Sequence, residues 1–97
     1  MILSLSPIVM HEALVVEVQG DILILNGEPL DFSPLEPGAV LPDGAVDNRW
    51  VAGPVLRGGD NELRITLLLP IGGDASYEAR FPEPIHVTED GPVELPR

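Results

Sequence analysis

The chain has no cysteine and no lysine, four aromatic residues in 97, and no apolar run long enough to span a bilayer as a helix. Each absence excludes something. Without cysteine there is no disulfide framework, no thiol nucleophile and no thiolate metal site, so a reducing compartment suffices and a cytoplasmic location is expected. A membrane helix needs about 20 apolar residues in a row. The apolar start, Met1 to Met10, is broken by Ser4, Ser6 and Pro7 and lacks a basic flank, so neither a spanning helix nor a signal peptide is predicted. Five arginines stand against sixteen acidic residues, a formal net charge of -11. Such a surface repels nucleic acid and anionic membranes while suiting a basic protein partner or cations. Trp50, Tyr77, Phe32 and Phe81 supply a stacking platform for bases or sugars poorly; Trp50 reads as core.

What the chain does have is punctuation. Eleven prolines and ten glycines interrupt it too often for long helices. The length makes one domain, residues 1–97. The class is all-β, with strands expected near residues 2–6, 14–19, 22–26, 28–32, 49–57 and 62–69 and a weaker one near 84–89.

Residues 14–32 carry the clearest pattern. Gly20-Asp21 and Asn26-Gly27 stand where two-residue hairpin turns need a glycine-tolerant backbone. Pairing across the first turn sets Val18 opposite Leu23 and Val16 opposite Leu25, and the second sets Leu23 opposite Leu30. Alternation then puts Val16, Val18, Leu23, Leu25, Leu30 and Phe32 on one apolar face. Glu17, Gln19, Ile22 and Ile24 fall on the other.

A second hairpin is expected around Gly58-Gly59-Asp60-Asn61. A centred turn sets Arg57 against Glu62, Leu56 against Leu63, Ala52 against Leu67 and Trp50 against Leu69. Trp50, Ala52, Leu56, Leu63, Ile65, Leu67 and Leu69 would face inward, with Arg64 and Thr66 wet. Residues 33–48 read as a proline-bearing crossover loop holding at most a helical turn near Pro42 to Val46. Pro82 and Pro84 demote the stretch after Phe81 to an edge strand or a strap, and the tail from Pro92 to Arg97 is expected to be loosely held. Two one-sided apolar sheets must bury their faces, which predicts a small antiparallel β-sandwich or partly open barrel built from hairpins.

Candidate chemistry is sparse, and no catalytic, cofactor-binding or metal residue is assigned. His11 and His86 lack zincin spacing, no Gly-x-Ser-x-Gly elbow surrounds any serine, and the glycine pairs at 58–59 and 72–73 neither open a helix nor carry a lysine. Asp60, Glu62 and Asp74 would form an oxygen cluster for a cation or compact ligand if both glycine-aspartate turns lay at one end of the fold, although their spacing matches no calcium loop. On the wet face of the meander, Val15, Ile22 and Ile24 form a possible interface for a protein partner or self-association, unless Phe81 to Val87 straps over them.

Gly20-Asp21-Ile22-Leu23-Ile24-Leu25-Asn26-Gly27 leading to Asp31-Phe32-Ser33-Pro34-Leu35 resembles small uncharacterised proteins encoded among bacteriophage and prophage tail genes. Trp50-Val51-Ala52-Gly53-Pro54-Val55, Leu67-Leu68-Leu69-Pro70, Phe81-Pro82-Glu83-Pro84-Ile85 and Asp90-Gly91-Pro92-Val93 extend the likeness over nearly the whole chain. The resemblance implies a non-enzymatic structural or assembly accessory of a phage-like particle, cytoplasmic or virion-associated. It carries no site residues and no cofactor. The alternative from the residues alone is a cytoplasmic binding module for a cation or compact ligand at the acidic turns.

Overall fold

Two tight turns order the first half of the fold. In the computed structural model, which covers residues 1–97, Gly20 has φ +58 while Asp21 stays at negative φ, and Asn26 and Gly27 have φ +48 and +84. These are the backbone patterns of the II′ and I′ hairpin turns, whose twist matches that of the strands they join. In chain order the elements are β1 (Ile2–Val9), β2 (Val16–Gln19), β3 (Ile22–Leu25), β4 (Glu28–Asp31), β5 (Val40–Leu41), β6 (Val55–Arg57), β7 (Leu63–Ile71), the single helical turn α1 (Tyr77–Arg80), β8 (Ile85–His86) and β9 (Gly91–Val93). Strand makes up 41% of the chain and helix 4%, an all-β fold.

The strands form two sheets, neither closed into a barrel. One has four strands in the order β4-β3-β2-β9, all antiparallel; the other has five in the order β5-β6-β7-β1-β8. The meander has the expected register, with Val16 opposite Leu25, Val18 opposite Leu23 and Leu23 opposite Leu30. Val16, Val18, Leu23 and Leu25 are at most 3% exposed, so this face lies in the core. Leu3, Val55, Leu63, Ile65 and Leu67 of the other sheet join the same cluster, with Phe32 and Trp50. One core between two sheets stabilises both, at about 1.5–3 kcal/mol for each fully buried aliphatic side chain.

In the five-stranded sheet β1 runs longer than expected and pairs in parallel with β7 along its whole length, Ile2 with Arg64 through Val9 with Ile71. Parallel neighbours need a long crossover, and here the β2–β4 meander supplies it by passing through the opposite sheet. The expected 33–48 loop contains β5, which pairs with β6. Residues 42–46 form a turn closed by Ala45 N–H donating to Pro42 O, without helix.

The second hairpin departs from its expected register by one residue. Arg57 pairs with Leu63, Leu56 pairs with Arg64, and Gly58 N–H donates to Glu62 O. The loop therefore has three residues, 59–61, closed by Asn61 at φ +66 after a turn from Asn61 N–H to Gly58 O, a common three-residue hairpin form. A one-residue slip exchanges faces. Val55 and Arg57 are buried where Leu56 was expected inside, and the expected Arg57–Glu62 cross-strand pair is absent. Before Val55 the expected strand is not regular. Val51, not Ala52, bridges Leu67, and Trp50 O accepts from Leu68 N–H, replacing the expected contact with Leu69.

The C-terminal part closes both sheets. β8 adds to β1 through Ile2 and Leu3, as an edge strand, which suits the flanking prolines. β9 adds to β2, with Val93 opposite Val16 and Pro92 opposite Glu17, and Asp90 Oδ1 accepts from Gly20 N–H at 2.8 Å. The tail expected to be loose is thus partly a strand, and Leu95 packs against the core.

Candidate functional site

The three residues singled out as an interface lie on the outer side of the four-stranded sheet. The register places Pro92, Glu17, Ile24 and Pro29 in one row across all four strands, with Gln19, Ile22 and Asp31 in the next. Ile22 and Ile24 are half-buried among these neighbours, and Val15, just before β2, is 65% exposed. The segment from Phe81 to Val87 does not strap them. Its β8 residues bond to β1 in the opposite sheet, and Val87 N–H donates to Met1 O. Every strand belongs to one of the two sheets, and α1 contacts β7 of the opposite one.

The acidic turns do not converge. Asp60 precedes β7 and Asp74 follows it, and nine strand residues separate their positions by roughly 30 Å at about 3.3 Å per residue. Each carboxylate near the first turn has its own partner. Asp60 faces Arg64 at 3.0 Å, and that hydrogen bond, with a second from Glu62 N–H, holds its carboxyl below the usual aspartate range. Glu62 accepts from the Met1 amino group at 2.6 Å, which lowers its pKa, and also meets His86 at 2.9 Å. His11 lies past the far end of β1 from the strand position of His86. No group of three or more histidine and carboxylate side chains is placed to hold a metal.

A residue not anticipated, Arg57, joins the sheets. The slipped register buries it to 4% exposure. It donates to Phe32 O at 2.9 Å, to Leu35 O, to Asn61 O at 3.1 Å and to Asp21 Oδ2 at 3.2 Å. Its fixed planar fork suits several acceptors converging on one point. A burial this complete requires such pairing, and the acceptors come from the β2–β3 turn, the β6–β7 turn and the exit of β4. The role is structural. Its only sequence signal is the turn, since a three-residue loop turns Arg57 inward.

Two hollows remain. One, about 640 Å³, opens between the sheets where the β1–β2 connection, the end of β7 and the C-terminal tail meet, with Val15 at its rim. Its Glu12 is engaged by Arg49 through two contacts of 2.6 and 2.7 Å, which hold the carboxyl below its usual range, and Arg49 also lies 4.8 Å from the Trp50 ring centroid. The other, about 600 Å³, lies under α1 and is edged by Tyr77 and Phe81. Sequence signals for α1 exist: Ser76 caps it by accepting from Ala79 N–H at 3.2 Å, and the four-residue spacing brings Tyr77 and Phe81 to one side.

Comparison with known proteins finds no matching family model, no similar curated protein and no similar solved structure. No helix is long and apolar enough to cross a membrane.

Proposed function

We propose that this chain is a non-enzymatic protein-interaction module, a structural or assembly accessory of a phage-like particle. The observation that carries the interaction reading is the uncovered outer face of the four-stranded sheet, where Ile22 and Ile24 sit among Pro29, Pro92 and Glu17 with Val15 adjacent. Apolar surface left on a solvent-facing sheet favours association with a complementary surface, and the carboxylates of Glu17 within this face and Asp31 at its edge favour a partner with basic groups there. The particle context rests on the resemblance of the turn and strand segments alone. The pairing of Glu12 with Arg49, Asp60 with Arg64 and Glu62 with His86 in ion pairs favours a binding role over a catalytic one.

The test is the double substitution Ile22→Thr with Ile24→Thr, which keeps β propensity and removes apolar surface. Self-association in sedimentation, or capture of a tail-gene partner, should be lost while the urea midpoint stays close to that of the parent. Unfolding of the isolated double variant would show that these residues serve the core, and the interface would then be abandoned.

A further inference from the structure

The hollow under α1 combines two features that point to one kind of ligand. Tyr77 and Phe81 are the most exposed aromatic side chains of the chain, at 73% and 66%, and their rings stand 5.0 Å apart, tilted by 38°. Large aromatic side chains bury 150–250 Å² each when covered, so this pair offers binding area that the fold does not use. Glu78, Glu83 and Glu94 line the same hollow as the rings, and Leu95 forms part of its apolar wall. No arginine or histidine lines the hollow. The nearest basic side chain in sequence, Arg80, instead donates to Gly73 O at 2.8 Å.

We propose that this hollow receives an arginine side chain presented by a basic segment of a partner protein. A guanidinium can lie flat on an aromatic face and still bond to a carboxylate in its own plane, the combination that these rings and glutamates present. A purely apolar ligand would leave the glutamates desolvated and unpaired, an anion would be repelled, and a lone metal ion would find no converging ligand set. The net charge of -11 steers basic partners toward the whole surface; the aromatic pair gives this position a preference over the other acidic turns. The inference rests on the protein-interaction reading but uses a different surface, beside β8 and the tail.

The experiment is calorimetric titration of the full chain with a capped glycine-serine octapeptide carrying two arginines, with lysine and citrulline versions as controls. Arginine should bind best, lysine several-fold more weakly, and citrulline not measurably. Tyr77→Ala with Phe81→Ala should weaken arginine-peptide binding at least tenfold. Glu83→Gln with Glu94→Gln should weaken it several-fold and flatten its salt dependence. Asp43→Asn with Asp47→Asn, which removes two exposed charges elsewhere, should change it less than twofold. Circular dichroism confirms that each variant is folded, as expected for exposed positions. Equal losses from the Asp43/Asp47 and Glu83/Glu94 pairs would reduce the attraction to diffuse charge and overturn the proposal, as would unchanged binding without the two rings. If the arginine peptide fails to bind while Ile22→Thr with Ile24→Thr still abolishes association, this hollow is discarded and the sheet interface stands.

Discussion

The two sheets solve the same packing problem with different kinds of neighbour. In the four-stranded sheet β2, β3 and β4 follow one another through two-residue turns, and only β9 arrives from far along the chain. In the five-stranded sheet the longest ladder, between β1 and β7, joins residues 62 positions apart, and the hairpin turn between β6 and β7 holds three residues. Register is therefore set locally in one sheet and by tertiary packing in the other. A local register is stated by turn residues and alternation together. A tertiary one depends on which face the core accepts.

That contrast explains what was legible. Asn26-Gly27 and Gly20 demanded their turns, and alternation of Val16, Val18, Leu23 and Leu25 then allowed a single register. Gly58-Gly59-Asp60-Asn61 allowed two, because the left-handed residue in the loop could be a glycine or Asn61. Only Asn61 in that role turns Arg57 toward the acceptors of Phe32 and Asp21, and nothing local to the hairpin announces those acceptors. The two-residue β5 and the three-residue β9 were similarly hidden, since elements so short are recruited by a neighbouring edge and carry little pattern of their own. Of the site, Ile22 and Ile24 followed from alternation, whereas Tyr77 and Phe81 needed the α1 turn.

The sharpest way to break the comparison is to damage the shared core from the tertiary side. Leu67→Ala, at a position with no exposure, and Trp50→Ala, at 4% exposure, should each cost about 2–5 kcal/mol in urea unfolding, whereas Arg64→Ala on the outer face should cost far less. Comparable small losses at all three would mean that the five-stranded sheet is not packed as described.

Arg57 sharpens the contrast, because it ties the slipped hairpin to the locally registered meander. Arg57→Ala should cost about 1.5–3 kcal/mol, the scale of losing hydrogen bonds to a charged group while burying bare carbonyls. Arg57→Lys should recover little, since an ammonium cannot reproduce the fork. Full rescue by lysine in thermal melts would show that charge alone matters there.

The smallest effect concerns the ion pairs beside the start of β7. Asp60 and Glu62 are held below their ordinary values of 3.8 and 4.5, Asp60 chiefly by Arg64 and Glu62 chiefly by the Met1 amino group. A carboxyl depressed in the folded state favours folding above its ordinary value, and the contribution disappears as pH falls through the folded one. Stability should decline below about pH 4.5, and Asp60→Asn should flatten part of that decline with little change at pH 7. A urea midpoint series from pH 7 to 3 reads both, and an identical acid limb in the variant would leave Asp60 without a role.

The parallel β1–β7 ladder also fixes an order of events. Closing a loop of 62 residues costs roughly 2–3 kcal/mol more entropy than closing a turn of a few residues, and non-local strand pairing is slow for that reason. The meander and the β6–β7 hairpin can form on local contacts. Because the crossover between β1 and β7 runs through the opposite sheet, zipping that ladder and stacking the two sheets are a single step. Amides of β2–β4 should gain protection in pulsed hydrogen exchange before those of β1, and the rate of the whole reaction then belongs to the first strand of the chain, the last to find its place.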